Sequence, residues 1–207
     1  MRLLVLILLL LSFGPQAYAA DLAVTVRDTH GMAVKDAVVM LYPASGTPPV
    51  RVAGPYRMAQ HNIQFEPFVL VVPVGATVSF PNLDNVRHHV YSFSKPHPFE
   101  LKLYGHDETR TIVFDKPGVI ALGCNIHDQM IGFVRVVDTP FAVKTDGNGV
   151  AVLRGAPGGK ATVKVWHPYL KGAGNEIASA AVLPGSGTGA VTITIDLRPP
   201  PGHAHGY

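Results

Sequence analysis

The residues most able to do chemistry in this chain stand together in one short segment. The single cysteine, Cys124, is followed by His127 and then by Met130, in the order C-x2-H-x2-M. Thiolate, imidazole and thioether are soft to borderline ligands, and together they suit copper that cycles between two oxidation states. Apolar, strand-like runs stand on both sides, so a short loop between strands would bring these side chains to one point. The spacing predicts a copper site.

The lone cysteine has two other interpretations. Cys124 could form a disulfide between two chains, or it could be an inert buried thiol beside a Met130 that only fills the core. The histidine three residues further along favours a metal ligand over both.

A second histidine ligand has to come from elsewhere in the chain. The segment 82–92 contains His88 and His89 side by side. Neighbouring residues on a strand point to opposite faces, so both should not reach one metal ion. The residues alone leave the choice between them open.

The elements that must position these side chains are predicted to be β-strands throughout. Short runs rich in Val, Ile, Thr and Phe alternate with Gly, Pro, Asn and Asp at a spacing typical of sandwiches or barrels. No segment of the mature chain keeps a helical period for three turns. The predicted strands are 22–26, 37–41, 68–72, 77–80, 109–114, 119–122, 131–137, 150–153, 161–166 and 191–197.

Differences in motifs and turn residues along the chain predict two small β-sandwiches. The middle holds the cysteine and the close His/Met spacing, whereas the flanks share Asp/Gly turns and the stretch 44–55 resembles a linker. We predict a signal peptide at 1–19, the first part of a flanking sandwich plus linker at 20–57, a central domain at 58–138, the rest of the flanking sandwich at 139–198, and a disordered tail at 199–207.

Residues 58–138 resemble the cupredoxins, which include plastocyanin, pseudoazurin and amicyanin. Their first ligand stands in a His-Asn-Val turn, which corresponds to His88-His89-Val90 and implies His88 as the ligand, with a histidine in place of the family's asparagine. Phe65-x-Pro67 and Lys116-Pro117-Gly118 also match, and the loop is similar to that of amicyanin. The resemblance implies a Greek-key β-sandwich holding one type 1 (blue) copper ion through His88, Cys124, His127 and Met130.

The flanks resemble a prealbumin-like module of the carboxypeptidase-regulatory or collagen-binding-B type. The similarity lies in the segments 24–39 and 145–165, one before and one after the central domain. This arrangement implies that the cupredoxin domain is inserted into the flanking sandwich, although two unrelated flanking fragments are the alternative. The whole chain is similar to bacterial exported plastocyanin-like proteins called methylamine-utilisation proteins.

The expected function is electron transfer rather than catalysis. Four protein ligands leave no open position for a substrate. The chain has no H-C-H cluster and no C-x-x-C-H haem motif, and its one H-x-H pair, His203 and His205, lies in the predicted disordered tail. A single cysteine cannot build a bridged two-copper centre. The resemblance implies that electrons pass at His127, framed by residues such as Ile131, to a cytochrome or a dehydrogenase. Copper delivery or storage is the alternative, and a metal-free scaffold is a third.

The first residues predict export to the periplasm. A basic Arg2, an apolar run and Ala17-Tyr18-Ala19 are typical of a cleaved signal peptide that is too short to span a bilayer. We expect no membrane span, and a monomer in the periplasm. The formal charge of +3 is too small to imply a nucleic-acid partner. The remaining histidines, including His61, His97, His106 and His167, are expected at the surface or in turns.

Overall fold

A computed structural model describes residues 19–200. The predicted signal peptide, except for Ala19, and the predicted tail from residue 201 onward lie outside the described residues. Within 19–200 the chain folds into strands and one short 3₁₀ turn, so the prediction of an all-β fold is confirmed. No helix in the described part of the chain is long and apolar enough to cross a membrane.

The strands in chain order are β1 Ala19–Asp28, β2 Val38–Pro43, β3 Tyr56–Arg57, β4 Ala59–His61, β5 Gln64–Glu66, β6 Val69–Pro73, β7 Ala76–Pro81, β8 His88–Ser92, β9 Phe99–Tyr104, β10 Thr109–Phe114, β11 Gly118–Cys124, β12 His127–Val137, β13 Ala142–Lys144, β14 Val150–Pro157, β15 Gly159–Trp166, β16 Glu176–Leu183 and β17 Gly187–Ile195. The 3₁₀ turn is Ala173–Asn175.

Each of the ten predicted strands has a counterpart, and the structure adds seven strands to that series. Five of these, β3, β4, β5, β8 and β13, have five residues or fewer. The other two lack the Val/Ile-rich composition of a typical strand, since β9 reads FELKLY and β16 reads EIASAAVL. Pairing with a neighbour, rather than composition, makes these segments strands.

The central sandwich, residues 56–137, contains the cysteine. Its larger sheet has the strand order β6-β12-β11-β8-β9, and its smaller sheet has the order β10-β7-β3, with β4 and β5 forming a separate hairpin. In β12 the buried positions alternate from Met130 to Val136, as expected of a strand with one face in the core. Cys124 and Met130 belong to this core, together with Phe80, Phe114 and other apolar residues.

The flanking sandwich is built from strands on both sides of the central one. Its sheets have the orders β14-β1-β17 and β13-β2-β15-β16. β1 pairs parallel with β17 and antiparallel with β14, and its residues Leu22, Val24 and Val26 are buried on one face. The two halves are also joined at a turn, where the Ala37 amide donates to the Thr145 hydroxyl over 2.9 Å.

One glycine in the flanking sandwich is required by its surroundings. Gly149 has a φ of +75°, and a Cβ on it would lie 2.5 Å from the carbonyl oxygen of Val26. The same turn is stabilised by Asp146, whose Oδ1 accepts from the amides of Asn148 and Val150. The Asp/Gly pattern of the sequence therefore marks a tight turn that lies against β1.

The two sandwiches share an apolar interface with a charged edge. Trp166 of the flanking sandwich packs edge-on against Phe133 of the central one, with 5.9 Å between ring centroids. Beside them Arg135 of β12 forms a 2.7 Å ion pair with Glu176 of β16. Tyr42 donates from its hydroxyl to Asp138 over 2.7 Å. The contacts tie β12, which begins in the candidate site, to the flanking sandwich.

His167 stands directly before a turn of the flanking sandwich, and it is buried, with only 7% of its surface exposed. Burial lowers its pKa to about 4, although the charge of Asp36 and a hydrogen bond with the Lys35 backbone favour protonation. The side chain of His167 is therefore neutral at pH 7, and its Nδ1 accepts from the Tyr169 amide over 3.3 Å.

This buried histidine predicts a loss of stability in acid. The folded-state pKa is depressed, so as the pH falls below about 6.5 the unfolded chain takes up the proton first. The free energy of unfolding is therefore highest above pH 6.5 and falls as the pH drops toward the folded-state pKa. The fall is about 2–3 kcal/mol at a pH near 4.5. Urea unfolding at neutral and acid pH measures the loss. In His167→Gln the loss should be smaller by that amount, and an identical pH dependence in both proteins would contradict the prediction.

Candidate metal centre

Three of the predicted ligands are positioned by the hairpin between β11 and β12. Cys124 is the last residue of β11 and His127 the first of β12. The two strands pair in register from Gly118 to Gly123, after which the register shifts and Cys124 pairs with His127. The shift places the residues 128–130 in a bulge of β12, as often happens where a strand redirects a side chain.

The thiol of Cys124 lies between two imidazoles. Its Sγ is 3.6 Å from Nδ1 of His88 and 3.5 Å from Nδ1 of His127. The three donor atoms all lie within 4.8 Å of one another. The rings of His88 and His127 have centroids 4.9 Å apart. One sulfur and two nitrogens thus converge from β8, β11 and β12.

These separations fit a soft metal ion. Bonds of about 2.3 Å to sulfur and about 2.0 Å to nitrogen, the values for zinc, put the two donor atoms about 3.5–3.7 Å apart when they meet at about 109–120°. The distances from Cys124 Sγ to the two imidazole nitrogens both lie within this range. The geometry therefore accommodates a tetrahedral or trigonal metal without movement of Cys124.

Met130 is placed on the same side of the sheet as Cys124. Gly123 pairs with Ile131, so without the bulge the next pair along the ladder would be Cys124 with Met130. Residues directly opposite on paired strands project to the same face. Met130 is 1% exposed and shares the core cluster with Cys124. A thioether inside the core beside a thiolate suits a weak axial ligand.

The structure separates the two adjacent histidines. His88 is fully buried and its Nδ1 faces Cys124, whereas His89 lies on the other face of β8. The Nε2 atom of His89 is 2.7 Å from Oε1 of Glu100 on the neighbouring strand β9. Strand alternation therefore brings His88 to the candidate centre and turns His89 away from it.

The far nitrogen of His88 also has a partner. Its Nε2 lies 2.8 Å from Oδ2 of Asp84, a carboxylate that also accepts from the backbone amides of Asn62 and Ile63. Burial by itself raises the pKa of Asp84, but these amides and the imidazole together hold that pKa below its ordinary value. Asp84 is thus a carboxylate at neutral pH.

The loop that carries Asp84 and His88 is held by a buried asparagine. Asn82 is 0% exposed, and its Nδ2 donates to the carbonyl oxygens of Val86 over 2.8 Å and Tyr104 over 3.2 Å. Its Oδ1 accepts from the Asp84 amide over 2.9 Å. These bonds connect the start of the loop with its end, so β8 begins in a defined place relative to β7.

The candidate centre is enclosed except at His127. Cys124, His88 and Met130 are 3%, 0% and 1% exposed. His127 is partly exposed, and its neighbour Ile126 is 50% exposed. The three buried side chains exclude bulk water from most of the site, and the imidazole of His127 is the part that reaches the surface.

His61, His97 and His106 lie apart from this cluster. His61 pairs with Glu66 over 3.2 Å, His97 lies 3.6 Å from Asp115, and His106 lies 3.2 Å from Asp107. Each of these contacts involves an exposed acid, so they are surface pairs.

Sequence reasoning missed one contact close to the centre. The ring of Tyr91 lies over Gly123, where a Cβ would be 2.8 Å from the phenol carbon and oxygen. Glycine before Cys124 is the only hint of this in the sequence. Asp84 is different, because its place in the segment 82–92 makes it a candidate for hydrogen bonding around the site, and the structure adds His88 as its partner.

Comparisons with known proteins give partial matches. No protein-family model and no curated protein matches the chain. Among solved structures, a copper-containing nitrite reductase from Thermus scotoductus SA-01 is 34% identical over 44% of this chain, with a TM-score of 0.39. The chain spans only a quarter of that protein, 25% of its length.

Two smaller proteins match over nearly their whole length. A purple cupredoxin from Nitrosopumilus maritimus is 24% identical, with 40% of this chain and 100% of that one covered and a TM-score of 0.38. An oxidized methionine-to-leucine mutant of amicyanin is 18% identical, with 49% and 99% covered and a TM-score of 0.38. Part of this chain is thus similar to cupredoxins, at low identity and over less than half of its length.

Proposed function

We propose that this protein is a type 1 copper protein that carries single electrons between redox partners in the periplasm. The observation that carries the proposal is the convergence of one thiol and two imidazole nitrogens at 3.5–3.6 Å, in the core of a β-sandwich. His88, Cys124 and His127 would hold the metal, with Met130 as the axial ligand. Bound copper would supply a reversible one-electron change between Cu(I) and Cu(II).

The protein's own residues suit this role in three ways. Cys124 and His88 are locked into β11 and β8, so the donors keep their positions when the charge of the site changes. The buried side of the site excludes water, because these two residues and Met130 are almost fully enclosed. His127 reaches the surface beside the exposed Ile126, where a partner can approach its ring edge. We expect such a partner, a cytochrome or a dehydrogenase, to bind through a small and weak interface.

Copper reconstitution tests the proposal directly. The protein from residue 20 onward, titrated with Cu(II), should bind one equivalent and develop an intense visible band from thiolate-to-copper charge transfer, with the narrow copper hyperfine splitting of a blue site in electron paramagnetic resonance. Ascorbate should bleach the band and oxidant should restore it. A colourless copper complex that gives its metal rapidly to a chelator would support copper delivery or storage instead, and the absence of binding would support a scaffold.

The arrangement of the chain is part of the same proposal. We infer that the electron-transfer sandwich is inserted in a flanking sandwich of prealbumin-like type, with boundaries near residues 58 and 138. Pairing of β1 with both β14 and β17 supports this, because strands separated by the whole insert share one sheet. Export by a signal peptide at 1–19 and membership of the methylamine-utilisation group remain parts of the proposal. Amino-terminal sequencing of the exported protein tests cleavage after Ala19.

A further inference from the structure

Asp84 occupies an unusual position between two loops of the central sandwich. It stands between β7 and β8, yet its carboxylate reaches the hairpin turn between β4 and β5 and the buried ring of His88. Oδ1 accepts from the Asn62 amide over 2.6 Å, and Oδ2 is 3.0 Å from the Ile63 amide and 2.8 Å from His88 Nε2. One side chain thus joins a turn to a predicted ligand.

The turn itself has the left-handed backbone that a two-residue β-hairpin loop uses. Asn62 and Ile63 have φ values of +54° and +56°. The left-handed region is unfavourable for a β-branched residue such as Ile63, and strain of this kind persists where surrounding contacts require it. In this turn both amides point to the same carboxylate. The position of Asp84 is therefore held by two backbone amides as well as by the ring of His88.

An ionised carboxylate only accepts hydrogen bonds, so the nitrogen that faces it must carry a proton. In neutral His88 this nitrogen is Nε2, which leaves Nδ1 with a free lone pair 3.6 Å from Cys124 Sγ. Carboxylate partners of this kind fix the tautomer of a ligating histidine and make it a stronger base. A stronger base favours Cu(II) over Cu(I), because the higher charge gains more from electron donation.

We propose that Asp84 is a positioning residue that holds His88 in the Nε2–H tautomer and lowers the reduction potential of the copper that His88 binds. This inference deepens the proposed function and rests on it for the potential. The tautomer part concerns the metal-free protein and stands independently of copper. In the metal-free protein this hydrogen bond leaves the Nδ1 lone pair of His88 facing the thiol of Cys124.

The experiment compares Asp84→Asn and Asp84→Ala with Glu100→Gln as the matched control. Asp84→Asn keeps an oxygen acceptor but removes the charge, and Asp84→Ala removes both. Glu100→Gln removes the same charge from the histidine–carboxylate pair on the opposite face of β8, where His89 is the partner. All three are first checked for folding by circular dichroism, so that a folded Asp84→Asn remains informative if Asp84→Ala does not fold.

For the copper-loaded proteins we expect the blue band to persist while the potential rises in Asp84→Asn and rises further in Asp84→Ala. The affinity for Cu(II) should fall by about 10–100-fold, the usual effect of removing an outer partner of a metal-bound histidine. Glu100→Gln should match the wild type in both measurements. A folded Asp84→Asn with unchanged potential and affinity, or an equal change in Glu100→Gln, would overturn the proposal.

The metal-free protein is tested by nuclear magnetic resonance with ¹⁵N-labelled histidine. His88 should show protonated Nε2 and unprotonated Nδ1 in the wild type, and a mixture of tautomers in Asp84→Ala. A wild-type His88 protonated at Nδ1 would overturn the inference whether or not copper binds. Failure of the wild type to turn blue, with the expected tautomer present, would instead contradict the proposed function and leave Asp84 as the residue that orients His88.

Discussion

Replacing Cys124 by serine should abolish the intense visible band that we expect of the Cu(II)-loaded protein, and it should leave the protein folded. Serine has nearly the same size, so the site, where Cys124 is 3% exposed, is not overfilled. Its hydroxyl stays protonated at neutral pH and is a hard ligand, so the charge transfer from thiolate to copper cannot occur. Absorption and electron paramagnetic resonance of the Cu(II)-loaded variant measure the effect, and any copper that still binds should give the wide hyperfine splitting of an ordinary site.

The adjacent histidines provide the control for this result. His89→Gln changes an imidazole one residue from His88, but its partner is Glu100 on the other face of β8, so the band should persist. His88→Gln should remove the band because it takes away a nitrogen 3.6 Å from the thiol. A band that survives in Cys124→Ser, or that is lost in His89→Gln and kept in His88→Gln, would contradict the assigned ligands.

Replacing Trp166 by alanine should have the largest effect on stability, a loss of about 3–5 kcal/mol, which is typical of removing a fully buried large aromatic side chain. Trp166 is 1% exposed and lies in a cluster drawn from both sandwiches. Its ring also contacts Phe133 edge-on and lies 5.9 Å from the Arg135 guanidinium carbon. Because this is the only tryptophan, urea unfolding is followed by far-ultraviolet circular dichroism.

Two further variants distinguish this interface from a general sensitivity to substitution. Trp166→Phe keeps an aromatic ring opposite Phe133 and should lose distinctly less than the alanine variant. Val182→Ala changes a side chain that is 74% exposed on β16, so its stability should stay within about 0.5 kcal/mol of the wild type. A loss below about 1 kcal/mol in Trp166→Ala would show that the interface contributes little to folding. A separate unfolding step for the central sandwich would show that the interface does not couple the unfolding of the two sandwiches.

The presence of a candidate metal site could be predicted from the sequence alone, because it follows from residue types and their spacing. Cys124 and His127 pair at the end of one short hairpin, so local spacing is enough to bring these two residues together, and Met130 lies in the same apolar core. The all-β character was also readable, since runs of β-branched residues between Gly and Asp turns have few other structures available. Short strands such as β4 and β5 are missing from the predicted series, because pairing with neighbouring segments, and not their own composition, stabilises them.

Tertiary structure decided what depends on contacts between distant segments. His88 and His89 have the same chemistry in the sequence, and only the pairing of β8 with β9 and β11 assigns one to the core and the other to Glu100. The role of Asp84 needs a turn at Asn62 that a linear pattern does not connect to it. The burial of His167 likewise comes from the packing of the flanking sandwich. Hydrophobic spacing predicts which face of a strand is buried, whereas the partners of a buried polar group are fixed only when the whole chain has folded.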